Sequence, residues 1–211
     1  RQTNDQAKRA DSLKDIQKCD SEINLLVGQT YFPFIAGLKD EDISRLYDEQ
    51  RIIKPRPALA ICTFALTQDN QLTLTVRGTR TNMYPSRLYG QGGNPLFTNT
   101  DLAEHQVDEM KDEILIQPNE YDLKELRFSG IVIDKEQLPD KPDLVGWVSV
   151  SLEAGDIRER VYKRSSDKRP SDAIGVVFTP STERELFEYL TQRTHPLQFC
   201  PPAHGGLVLY G

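Results

Sequence analysis

Asp101-Leu-Ala-Glu-His-Gln-Val-Asp-Glu-Met-Lys-Asp-Glu-Ile114 lies a short way beyond Gly92-Gly93-Asn94-Pro95. Ala103, Val107, Met110 and Ile114 recur at i, i+4, i+7 and i+11, so residues 101–114 are predicted to form a helix with one apolar stripe facing a core. Its other face is acidic. Glu109, Asp112 and Glu113 fall at i, i+3 and i+4, which gathers three carboxylates on one side. Like charges at that spacing cost about 0.2–0.5 kcal/mol per pair in an isolated helix, and a hard divalent cation accepting oxygen ligands removes that repulsion. On spacing alone a solvated acidic face is the better reading.

The neighbouring elements give the helix its setting. Residues 58–66, Ala-Leu-Ala-Ile-Cys-Thr-Phe-Ala-Leu, are mostly apolar; Asp69-Asn70 supplies a turn; Leu72, Leu74 and Val76 then alternate through 71–77. This is a strand, turn, strand unit. Residues 80–93 are rich in turn formers and close on two glycines. Strands are expected over 126–133, 144–152 and 173–179, and a helix over 181–193 with Thr182 near its cap. The stretch 205–210 suits either a strand or the buried end of a helix. Strands interspersed with helices predict an α/β (α+β) domain, a mixed sheet between helical layers.

At the N-terminal end, Ala7, Ala10, Leu13, Ile16 and Ile23 form a thin apolar stripe, from which residues 5–26 are expected to form a helix or a flexible arm. A short helix is expected over 40–47. Residues 1–55 are therefore assigned to a helical extension and 56–211 to the main domain. The chain has 211 residues, 37% hydrophobic and 27% charged, and carries a formal net charge of -6. That charge argues against a nucleic-acid surface, which needs clustered Lys and Arg. A small anionic ligand remains compatible, because a bound metal reverses the sign of an acidic pocket. No apolar run approaches a membrane span. Cys19, Cys62 and Cys200 are odd in number and widely spaced, which suits reduced thiols and a cytoplasmic setting.

The stretch from Asp108 to Ile116, Asp-Glu-Met-Lys-Asp-Glu-Ile-Leu-Ile, resembles the second half of the Nudix signature, G-x5-E-x7-R-E-U-x-E-E-x-G-U with U apolar. Glu109, Asp112 and Glu113 take the places of that family's metal-binding acids, and Met110 and Ile116 its apolar places. Asp108 stands where the family has Arg and Leu115 where it has Gly. Thr100 or Asp101 falls where the upstream Glu is expected, and Gly93 lies one residue too far upstream. Gly92-Gly93-Asn94-Pro95, the pattern from Glu109 to Glu113, and the tail Cys200-Pro-Pro-Ala-His-Gly-Gly are similar to the mammalian UDP-sugar diphosphatase branch.

The resemblance implies a Nudix-like α/β/α sandwich and a Mg2+- or Mn2+-dependent hydrolase of a pyrophosphate-linked nucleotide. A UDP-sugar yielding UMP and sugar 1-phosphate is the implied substrate. It makes Glu109 and Glu113 catalytic, and Glu109, Asp112, Glu113 and Gly93 the metal ligands. Gly92 would meet the substrate, and Arg77 and Arg80 either neutralise its phosphate oxygens or lie at the surface. Tyr84, Tyr89 and Phe97 are either stacking partners for a base or core residues, and Trp147 reads as core. His105, one turn before Glu109, reads as an exposed surface histidine or a partner of the metal-binding acids. Arg158, Arg160, Lys163, Arg164, Lys168 and Arg169 form a basic stretch that suits a solvated loop or a substrate lid. Two alternatives belong to other classes: a catalytically inactive Nudix-like binding module, and an interaction protein using its N-terminal helix.

Overall fold

The computed structural model describes residues 59–79, 81, 83–93, 102–135, 141–164, 173–191 and 198–211, and the backbone of two strands nearer the N terminus. Those strands, β1 (Arg9–Cys19) and β2 (Glu22–Tyr31), form an antiparallel hairpin, Cys19 facing Glu22 and Arg9 facing Tyr31. The helix expected over 5–26 is thus corrected. Ile23, Leu25 and Val27 alternate with period two, and Asp20-Ser21 between the strands supplies turn formers. The helical stripe upstream was short and made partly of alanines. The short helix expected over 40–47 lies outside the described residues.

The main sheet runs β5-β4-β3-β7-β6, with β8 paired to β4. Its members are β3 (Ala60–Leu66), β4 (Gln71–Arg77), β5 (Leu88–Tyr89), β6 (Arg127–Asp134), β7 (Lys141–Ser149) and β8 (Ala173–Pro180). β3 lies parallel to β7, Ala60 opposite Asp143 and Leu66 opposite Ser149, whereas the other pairs are antiparallel. The sheet is therefore mixed, as expected. β3 and β4 pair only at Leu66 and Leu72, beside their turn, and then splay apart. Residues 88–91 fill the gap: Leu88 and Tyr89 pair with β4, and Gln91 bridges Thr63 on β3. This wedge delivers Gly92 and Gly93 to the start of β3.

Helices cover both faces. α1 (Leu102–Ile114) and α2 (Ala154–Lys163) bury Met110, Ile114, Ile157 and Val161 with Ala65, Val148, Val150 and Val176. On the opposite face α3 (Glu183–Thr191) contributes Leu186, and α4 (Pro201–Tyr210) contributes Ala203 and Leu207, to a core with Phe64, Leu72, Leu74 and Val145. The stretch 205–210 is thus the end of a helix that begins with Pro201 and Pro202, residues suited to a first helical turn. Gly206 lets α4 approach Phe64 so closely that a Cβ there would lie 2.9 Å from the ring. Trp147 meets Tyr210 edge-on at 5.5 Å. Cys62 and Cys200 are buried free thiols. Among the described residues, no helix is long and apolar enough to cross a membrane.

The basic stretch is corrected in part. Arg158, Arg160 and Lys163 belong to α2; Arg158 lies over the Phe178 ring, and Arg160 makes two 2.8 Å hydrogen bonds to Glu120. Lys168 and Arg169 lie outside the described residues. Glu153 and Asp156 cap the helix reciprocally, a signal that 153–163 contained from the start.

Leu115 ends α1 with φ +61°, and its N–H reaches the Lys111 carbonyl. This is a left-handed C-terminal cap, a conformation that glycine adopts without a steric penalty. Leu115→Gly is expected to raise the unfolding free energy by about 0.5–1 kcal/mol in a urea titration, because a strained backbone is relieved.

The hydrogen bonds from Arg160 hold the Glu120 carboxyl below its ordinary value, against the opposing effect of burial. The pair stabilises the fold fully above that ordinary value, and the contribution is lost as pH falls through the lowered one. Unfolding of Glu120→Gln measured across the acid range is expected to fall below the wild type near neutrality and to converge with it in acid.

Candidate active site

Gly92 has φ +154°, and a Cβ on it would stand 1.9 Å from the Ile61 carbonyl oxygen. No other residue fits there without moving β3. The Ile61 N–H donates to the Gly93 carbonyl at 2.9 Å, and Thr63 and Gln91 exchange two backbone bonds at 2.8 Å. The glycine turn is thereby fastened to the first residues of β3.

Buried polar side chains fix α1 over that turn. Gln106 donates Nε2 to the Gln91 carbonyl at 3.1 Å. Gln91 accepts, at Oε1, the Thr73 hydroxyl at 2.7 Å, and Thr73 accepts the Ala65 N–H at 2.9 Å. A chain of hydrogen bonds thus runs from the sheet into the first half of α1. Neither Gln91 nor Gln106 was singled out in the sequence; a glutamine inside an apolar stripe position was the available signal.

Glu109 arrives against Gly93. A Cβ at position 93 would lie 2.7 Å from Glu109 Oε1 and 3.6 Å from Oε2, so the carboxylate occupies space that only glycine leaves. Glu113, one turn on, is 7% exposed, whereas Asp112 and Asp108 are exposed. The three acids expected on one face therefore divide: Glu109 and Glu113 turn inward and Asp112 faces solvent. Among the described residues no group of three or more His, Cys, Asp and Glu side chains is gathered tightly enough to hold a metal by itself. The donor set still fits Mg2+ or Mn2+. Such ions take one or two carboxylates and complete their shell with water and phosphate oxygens.

His105 is corrected from an exposed histidine to a buried one, 6% exposed. Its Nε2 lies 3.6 Å from Glu109 Oε1, and the ring hydrogen-bonds the backbone of Gly93. Burial lowers its pKa, opposed by the Asp108 charge and the Gly93 bond, so the neutral ring is favoured. His105 stands on the acidic face, one turn before Glu109, and helical spacing alone gave no sign that this side of the first turns is buried.

Arg77, expected at the substrate, donates Nε to the Met83 carbonyl at 3.1 Å and lies over the Tyr89 ring, where it orders the loop after β4. Arg80, Phe97, Asn94 and Pro95 lie outside the described residues. Tyr84 and Tyr89 are buried, and both hydroxyls donate to carboxylates: Tyr84 to Asp134 and Tyr89 to Asp143 at 2.8 Å. They are core residues.

No family model matches the chain, and no curated protein matches it. Among solved structures, it is similar to DR0079 from Deinococcus radiodurans, with 12% identity and a TM-score of 0.54, over 97% of this chain and 100% of that one. A MutT protein from Methanosarcina mazei Go1 aligns with 12% identity and a TM-score of 0.49, over 75% of this chain and 96% of that one. A NUDIX hydrolase from Nitrosomonas europaea aligns with 11% identity and a TM-score of 0.47, over 74% and 88%. At these identities the likeness to DR0079, nearly end to end, shows a shared fold.

The two glycines predict different outcomes. At Gly92 an added methyl meets backbone, so Gly92→Ala is expected to cost at least about 1–3 kcal/mol of stability. At Gly93 it meets only the end of a glutamate side chain, so Gly93→Ala is expected to fold with near-native stability and a displaced Glu109. Paired chemical denaturation curves check both.

Proposed function

We propose that this chain is a Nudix-type hydrolase, dependent on Mg2+ or Mn2+, that cleaves the pyrophosphate of a nucleotide linked to another group. A UDP-sugar, giving UMP and sugar 1-phosphate, is the best substrate assignment. The observation that carries the proposal is the seat of Glu109 against Gly93, with Glu113 one turn further along a helix fastened to the sheet. That arrangement supports the resemblance of 108–116 to the Nudix signature at the residues that matter for chemistry. Leu115 adds to it, since its left-handed backbone is a conformation that glycine, the signature's residue at that place, adopts without a steric penalty.

In this account Glu109, Glu113 and the solvent-facing Asp112 supply carboxylate oxygens, and Gly93 contributes its backbone. A divalent ion held there lowers the pKa of water and stabilises charge developing at phosphorus. Glu109 and Glu113 are the catalytic residues. The backbone of Gly92 and the guanidinium group of Arg80 are assigned to phosphate oxygens, which arginine binds bidentately, whereas Arg77 is engaged by the Met83 carbonyl and the Tyr89 ring. Low exposure of Glu113 keeps that carboxylate in a setting where its charge acts strongly on a bound ion.

The exposed Asp108, where the signature has Arg, favours a second reading, an inactive Nudix-like binding module. Product analysis separates the two. The protein is offered UDP-glucose, UDP-galactose, ADP-ribose, NADH and nucleoside triphosphates with Mg2+ or Mn2+, beside Glu113→Gln. UMP and sugar phosphate are expected, reduced roughly 100-fold or more in the variant. Turnover of another compound retains the hydrolase and removes the UDP-sugar. No turnover with either ion selects the binding module.

A further inference from the structure

We propose that His105 and Glu109 form a nitrogen–oxygen ligand pair for a divalent transition metal, with His105 Nε2 as one donor and the Glu109 carboxylate as the other. The proposal rests on Glu109 being a metal ligand, and it adds a residue that the signature does not contain.

Three observations meet at His105. Its ring is buried in the first half of α1, and Nε2 has no hydrogen-bond partner there. The ring is tied to the backbone of Gly93, which leaves Nε2 as the nitrogen with an available lone pair. This is the arrangement that metal-ligating histidines adopt, one ring nitrogen anchored to a carbonyl or carboxylate and the other on the metal. Finally, Nε2 faces Glu109 Oε1 at 3.6 Å from the preceding turn of the same helix face. Two donors about 2.1 Å from one ion stand roughly 3–3.5 Å apart, so a small side-chain adjustment serves both. Without a cation, a neutral imidazole nitrogen and a carboxylate oxygen confront each other as two acceptors; a cation turns that confrontation into attraction.

A nitrogen donor changes which ion is preferred. Mg2+ is served by carboxylate, carbonyl and water, whereas imidazole favours ions later in the first transition row. His105 therefore moves the site from Mg2+ toward Mn2+ and its heavier neighbours, and leaves the other coordination positions for water and phosphate oxygens.

Pulsed electron paramagnetic resonance on the full chain loaded with Mn2+ tests this without any substrate. Modulation from a directly bound imidazole nitrogen is expected in the wild type and is expected to vanish in His105→Gln. Mn2+ affinity of that variant is expected to fall about 10–100-fold, with Mg2+ affinity changed much less. Bound Mn2+ without nitrogen modulation in the wild type overturns the proposal whether or not the variant folds, as does modulation that survives in His105→Gln. Either result leaves Glu109 as a carboxylate ligand. A wild type that binds no Mn2+ overturns the metal assignment of Glu109 and this proposal together.

Discussion

The approach of Gly92 to the backbone of β3 is the constraint on which the site depends. With the Ile61 carbonyl where a Cβ would stand, the glycine turn has no freedom to lift away, and the bond from Ile61 N–H to the Gly93 carbonyl closes it. Gly93 is thereby held where Glu109 packs against it. Gln106 and His105 bring the helix to the same turn through its backbone. Sheet, turn and helix are thus one rigid unit, which is what a carboxylate must have if it is to meet a reacting group within a fraction of an ångström. Buried polar residues impose this order at a cost in desolvation, and the hydrogen bonds they complete offset it.

The opposite face of the sheet holds a second buried polar group with a structural role. Asp143 accepts the Tyr89 hydroxyl and the Lys141 ammonium, and Tyr84 reaches both oxygens of Asp134. Burial pushes the Asp143 carboxyl up, against the pull of Lys141 and Tyr89. These bonds join the loop and short strand after β4 to the facing ends of β6 and β7. The same loop carries the chain into Gly92 and Gly93. Tyrosines that a sequence offers as base-stacking candidates are here the struts of that loop.

Much of the fold was legible because its elements are periodic. The alternation of Leu72, Leu74 and Val76 and the stripe of Met110 and Ile114 set the β3–β4 hairpin and α1 close to their observed limits. The mixed sheet followed from the order of strands and helices. What failed was local and weakly patterned. Two alanines and three aliphatic residues outlined a helix near the N terminus, but Ile23 also opens the strand alternation to Val27, and pairing between the strands prevails. α2 was hidden by its arginines, which read as a loop until the reciprocal cap at Glu153 and Asp156 is noticed. In the site, spacing grouped Glu109, Asp112 and Glu113, and only packing separates the inward pair from the solvent-facing residue. The burial of His105 depends on the Gly92-Gly93 turn well upstream in the chain, which helical periodicity does not encode.

A crystal grown with Mn2+ and a non-hydrolysable UDP-sugar analogue tests the central claim most directly. Anomalous scattering from a metal ion within about 2.3 Å of the Glu109 carboxylate, bridging to the diphosphate beside Gly93, is the predicted result. Ordered nucleotide bound elsewhere on the chain, with no metal at Glu109, would contradict the account.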